Sequence, residues 1–118
     1  MKLYSTQSRK TEDLIPRNGK TVQMFVCGPT VYDYVHIGNA RVFVFFDVVA
    51  KYLASKGFEV DYIQNITDID DKIIKRAQEQ DIDPLSYAQT FTEHFKNDMS
   101  ALGITSPRYI PATEHIDG

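Results

Sequence analysis

The sequence holds a single cysteine, Cys27. No internal disulfide is therefore possible, and the fold owes nothing to oxidation. No apolar run is long enough to span a membrane. The first sixteen residues, MKLYSTQSRKTEDLIP, lack an uninterrupted apolar stretch and do not read as a signal peptide. A cytoplasmic location is the default expectation. There is no run of lysine and arginine, and the net charge is -3, which argues against a chain dominated by a phosphate-binding surface. If a longer protein binds nucleic acid, most of that surface is expected elsewhere. Internal repeats and low-complexity linkers are absent. So are Walker-type GxxxxGKS/T and dinucleotide-type GxGxxG strings.

What is present suits one soluble domain with a core of its own: 118 residues, 42% apolar and 25% charged. Short extended pieces around Leu3–Tyr4 and Asp13–Ile15, with turns at Pro16 and Asn18-Gly19, suggest a hairpin. Thr21 to Cys27 reads as a strand. Val22, Met24 and Val26 lie on one face, Phe25 and Cys27 on the other, so a strand covered on both sides is expected. Gly28-Pro29 ends it.

A helix follows from about Ile37 or Gly38 to Ser55. Val42, Phe45, Phe46, Val49, Tyr52 and Leu53 form its expected apolar stripe, and Gly57 suits its left-handed terminus. Phe58 to Ile66 reads as a second strand. Thr67 and Asp70 have capping-box spacing and would open a helix to about Gln80. Asp83 caps a further helix with Pro84 at its first position. Its stripe is Leu85, Ala88, Phe91, Phe95, Met99 and Leu102, and Gly103 closes it. Pro107 and Pro111 break the tail, and a helix start is suggested near Gly118. A strand–helix–strand unit of this kind joins parallel strands. Two such strands make a poor sheet, which points to missing neighbours.

Ligands of open α/β sheets bind beyond the carboxyl ends of the strands. That rim holds Cys27 to Thr30, His36 to Asn39, and Asn65 to Asp68. A helix N-terminus with unpaired N–H groups suits a phosphate. His36 and Asn39 can each donate a hydrogen bond to a phosphate oxygen, and Gly38 permits close approach. Plainer readings stand beside these. His36 suits a helix cap, and Cys27 suits a small buried residue. Asp68, Asp70 and Asp71 suit the positive end of a helix better than a magnesium site. The seven tyrosines show no clustering in the sequence that suggests a base-stacking platform. Tyr32 and Tyr34 flank the His36 motif and suit either the pocket or the support of its loop.

CGPTVYDYVHIGNAR resembles the opening block of the cysteinyl-tRNA synthetases, with the HIGN form of the class I signature at His36–Asn39. NITDIDDKIIKRA, from Asn65 to Ala77, resembles the family's next block, and PATEHI, from Pro111 to Ile116, a third. The likeness runs through essentially the whole chain. It implies an α/β, Rossmann-like parallel sheet with flanking helices, incomplete here. Residues 1–118 would be the N-terminal part of a class I catalytic domain, without the downstream catalytic half and the anticodon-binding domain.

The implied reaction is activation of cysteine with ATP and its transfer to tRNA(Cys), by an enzyme expected to be monomeric. His36 and Asn39 match the family's catalytic nucleotide-binding motif. Gly28, Pro29, Thr30, Ile37 and Gly38 complete the implied nucleotide site. Cys27, Gly28, Thr30 and Thr67 match positions lining the cysteine and adenylate pocket. Cys27 also matches the first ligand of a zinc ion whose other ligands lie downstream, and Mg2+ is implied as the companion of ATP. No KMSKS-like string occurs, so this chain is expected to be inactive alone. Two alternatives stay open: the cysteine ligase of mycothiol synthesis, and a non-catalytic nucleotide-binding or interaction fragment.

Overall fold

A computed structural model describes residues 1–16 and 19–115. Asn18 of the expected turn, Ile116 of the third block and the helix start near Gly118 lie outside the described residues. The N-terminal hairpin forms from β1 (Lys2–Ser5) and β2 (Lys10–Asp13), antiparallel, with Lys2 opposite Asp13 and Ser5 opposite Lys10. Its turn falls earlier than the sequence suggested, at residues 6–9. Arg9 there takes a left-handed φ of 56°. The second strand is accordingly pulled forward, and the Leu14 N–H still reaches the Met1 carbonyl at 2.8 Å.

Three parallel strands make the main sheet: β3 (Thr21–Val26), β4 (Glu59–Ile66) and β5 (Arg108–Pro111), in the order β3-β4-β5. The third strand supplies part of what two strands alone lacked. Pro107 before it and Pro111 at its end hid it, because both read as breakers. Yet Pro111 occupies the last strand position, opposite Ile66, where a missing N–H disturbs little.

Between the strands run α1 (Ile37–Ser55), α2 (Asp71–Glu79) and α3 (Pro84–Ala101). Their caps explain their bounds. The Asp70 side chain accepts from the Lys72 N–H at 2.8 Å, so Asp70, and not Thr67, caps α2. Asp83 accepts from the Ser86 N–H at 2.9 Å, with Pro84 next, as expected for α3. Gly57 and Gly103 adopt φ of 86° and 73° just beyond the ends of α1 and α3.

The core lies on one face of the sheet. Val22, Val26, Tyr62 and Ile66 are buried there, with Phe43, Ala50 and Leu53 of α1 and Tyr87, Ala88, Phe95 and Met99 of α3. Phe95 packs edge-on against Phe43 and Tyr109, with ring centres 5.8 and 5.2 Å apart. The opposite face corrects the expectation of two-sided cover. Phe25 is 64% exposed and Cys27 is exposed. Gln23, Phe25, Asp61 and Ile63 line an open groove on that side.

The face of α1 also differs from its expected stripe. Val42, Phe45 and Tyr52 are exposed, whereas Phe43, Asp47 and Ala50 are buried. Apolar residues occur all around this helix, so periodicity could not choose the inner face. Asp47 settles it. Its Oδ1 accepts from the Thr105 and Ser106 N–H groups at 3.1 and 2.9 Å, and its Oδ2 pairs with Lys51 at 2.6 Å. Burial pushes the Asp47 carboxyl up, but these hydrogen bonds and Lys51 outweigh it and hold the group below its ordinary value of 3.8. Among the described residues, the Tyr62 and Tyr109 hydroxyls and the Gln64 side-chain amide are buried without a hydrogen-bond partner. Burial raises both tyrosines to about 12, reinforced at Tyr62 by Asp47 and at Tyr109 by Tyr62 and then Asp47.

Candidate functional site

The carboxyl ends of β3 and β4 are joined directly. The Thr67 N–H donates to the Pro29 carbonyl at 2.9 Å, and the Val31 N–H donates to the Thr67 carbonyl at 3.1 Å. Thr30 and Thr67 thereby form a parallel bridge beyond the named strands. Asn65 fastens the same place. Its Oδ1 accepts from the Gly28 N–H at 2.9 Å, and its Nδ2 donates to Thr67 Oγ1 at 3.3 Å. A Cβ on Gly28 would lie 1.6 Å from the Asn65 carbonyl oxygen, so no side chain fits there. Sequence reading placed Asn65 on the rim without giving it this role. Its signal was a polar residue at the end of an otherwise buried strand.

His36 caps α1. Its Nδ1 accepts from the Gly38 N–H at 3.1 Å, and its carbonyl accepts from the Asn39 and Ala40 N–H groups at 2.9 and 3.1 Å. The capping reading is therefore correct, and it bears on the phosphate reading. The N–H groups of Gly38 and Asn39 are already engaged, so the helix end offers fewer free donors than expected. In compensation, a neutral imidazole that accepts at Nδ1 carries its proton at Nε2. The cap thus leaves His36 with one oriented, exposed donor.

These residues border one pocket of about 360 Å3, lined by Cys27, Gly28, Pro29, Thr30, His36 and Asn39 together with Tyr32 to Val35, Val42 and Phe43. Three of the expected site residues lie off its lining. Gly38 serves the cap. Thr67 holds the wall from behind. Ile37, 74% exposed, borders a separate apolar groove with Val35, Ala40, Met99 and Leu102. Asp68 also points elsewhere, accepting from the Thr113 N–H at 3.0 Å and from the Thr113 hydroxyl. Asp70 and Asp71 serve the start of α2.

Zinc requires about four donors in a structural site and about three from the protein in a catalytic one. Among the described residues no three histidine, cysteine or acidic side chains gather. Cys27 is exposed and offers one thiol, so the residues present do not by themselves fit zinc.

Chemically, the pocket can hold an anion against the Nε2–H of His36, the amide of Asn39 and the positive end of α1. It lies at the carboxyl ends of parallel strands, where α/β sheets place their ligands. Cys27 and Thr30 also line it.

No helix among the described residues is long and apolar enough to cross a membrane. Residues 14–118 match the family described as tRNA synthetases class I (C) catalytic domain. The chain is 49% identical to the cysteine–tRNA ligase of Desulforamulus reducens, over 99% of this chain and 24% of the relative. The cysteine–tRNA ligase of Carboxydothermus hydrogenoformans is 50% identical over 98% and 25% of the two chains. That of Pyrococcus abyssi is 51% identical over 99% and 25%. The chain thus spans about a quarter of the length of these relatives. With its parallel sheet, its HIGN-capped helix and a family match over most of its length, the chain belongs to the class I (C) tRNA synthetase catalytic-domain family.

Proposed function

We propose that this chain supplies the nucleotide-binding part of a cysteine–tRNA ligase, the activity for which its relatives are named. One observation supports the reading above the others: a single pocket gathers Cys27, Thr30, His36 and Asn39 at the carboxyl end of the sheet. In this reading the cysteine carboxylate attacks the α-phosphate of ATP, and pyrophosphate leaves. The cysteinyl group then passes from the adenylate to the terminal adenosine of tRNA(Cys), and AMP leaves.

The residues position reactants and hold charge. His36 Nε2–H and the Asn39 amide face the phosphates. Gly28 and Asn65 keep the wall of the pocket in register. In this reading zinc would take Cys27 as one donor and the others from outside these residues. Mg2+ would accompany ATP.

The test is calorimetric titration of the chain with a non-hydrolysable ATP analogue. His36→Asn is the informative variant, because asparagine is a strong helix cap but lacks the outward Nε2–H. A loss of about tenfold in affinity, the size expected for one charge-assisted hydrogen bond, supports the reading. Unchanged affinity removes His36 from the phosphate site.

A further inference from the structure

The loop that leads into α1 borders the pocket along its whole length, since residues 32–36 all line it. The backbone of this loop has little of its own to hold it. Among the described residues, the main chain of residues 32–35 makes one hydrogen bond to a distant segment, in which the Tyr87 hydroxyl of α3 donates to the Tyr32 carbonyl at 3.0 Å. The Tyr34 N–H reaches only the neighbouring Asp33 Oδ1, at 2.8 Å.

Tyr87 stands off the apolar stripe expected for α3, yet it is 5% exposed. A phenylalanine would fill the same space in the core. The hydroxyl is what a phenylalanine lacks, and burying a hydroxyl is costly unless it is paired. Its partner here is the pocket loop. Side-chain contacts extend the grip. Phe91 packs on Tyr87 with ring centres 4.7 Å apart and meets the Tyr34 ring edge-on at 5.3 Å. His94 lies 5.0 Å from the same Tyr34 ring. The tether from α2 is weaker. Arg76 lies 3.8 Å from Asp33 with both side chains about half exposed, and such a pair contributes little. The buried hydrogen bond from α3 is therefore the contact that decides where the loop backbone rests.

We infer that Tyr87 is a positioning residue of the nucleotide pocket. It does not line the pocket and acts through the Tyr32 carbonyl, holding the loop that delivers His36 in its binding-competent conformation. The inference rests on the nucleotide reading of that pocket. Without the hydroxyl, the Tyr32 carbonyl loses its partner and the loop spends time in other conformations. Apparent affinity then falls with the fraction of molecules whose loop is in place.

The experiment compares Tyr87→Phe with Tyr109→Phe in the 118-residue chain. Each is mixed by stopped flow with a fluorescent, non-hydrolysable ATP analogue, well below its melting temperature. Tyr109 is the matched control, because its hydroxyl is buried against the same core but has no partner among the described residues. Tyr87→Phe is expected to weaken the analogue about fivefold, the size of one neutral hydrogen bond. The loss falls on the association rate and leaves the dissociation rate unchanged, because the loop must be in place before the ligand enters. Tyr109→Phe keeps the parent affinity.

Unchanged affinity in Tyr87→Phe overturns the positioning role and leaves the nucleotide site standing. An equal loss in Tyr109→Phe also overturns it, because the effect then belongs to the core as a whole. So does a loss carried by the dissociation rate. If the analogue fails to bind the unaltered chain, the nucleotide reading itself falls, and the positioning role with it.

Discussion

One face of the three-stranded sheet is closed and the other is open. Beneath α1 and α3, Tyr62 and Ile66 are 2% and 0% exposed. Across the same strands, Phe25 keeps 64% of its surface and shares a groove with Ile63. Along β3 and β4 the closed face carries Val22, Met24, Val26, Val60, Tyr62 and Ile66, whereas the open face mixes Phe25 and Ile63 with Gln23, Glu59 and Asp61. Apolar content on both faces thus did not guarantee cover on both.

The largest expected effect would test that contrast directly. Phe95→Ala removes a ring wedged between Phe43 and Tyr109, and is expected to cost about 3–5 kcal/mol. Phe25→Ala on the open face should stay within about 0.5 kcal/mol. Denaturant midpoints of the two variants decide it, and comparable losses would mean that Phe25 is covered in solution.

Next comes Asp47, the buried carboxylate at the edge of the closed side. Asp47→Asn removes the charge that faces Lys51 and weakens the hold on the Thr105 and Ser106 amides, for an expected loss of about 2 kcal/mol. The sign of its pH dependence follows from its lowered value. The contribution is present above the ordinary 3.8 and disappears as pH falls through the lower folded-state value. Acid titration of stability should therefore be shallower in Asp47→Asn than in the parent. Identical acid curves would remove Asp47 from the account.

The smallest effect concerns Gln64, fully buried on the closed face, whose amide atoms find no partner among the described residues. Gln64→Met keeps the shape and removes the unsatisfied groups. A gain of about 1 kcal/mol is expected. A loss in thermal unfolding would mean that the amide is hydrogen-bonded in solution.

Much of this architecture was legible in the residues. Asp83 and Pro84 marked the start of α3 because capping chemistry is local. A helix from about Ile37 or Gly38 to Ser55 was legible from its apolar periodicity and from Gly57 at its end. The inner face of α1 was not legible, since its buried set includes a charged residue whose partners, Thr105 and Ser106, are distant in sequence. The strand β5 was hidden by Pro107 just before it and Pro111 at its end. At the site, Cys27, Thr30, His36 and Asn39 fell on one pocket, whereas Ile37 shared their motif but not their cavity. The role of Asn65 and the gathering of Tyr34, Phe91 and His94 depend on contacts between separate segments. No spacing rule reaches that far.

The bridge between Pro29, Val31 and Thr67 has a consequence in time. The Val31 and Thr67 N–H groups, just behind the pocket wall, are protected by these last rungs of the ladder. Local opening of the wall and fraying of the sheet's carboxyl end are therefore one event with one rate. The pocket keeps the sheet's clock, and a ligand that pins the wall would slow both.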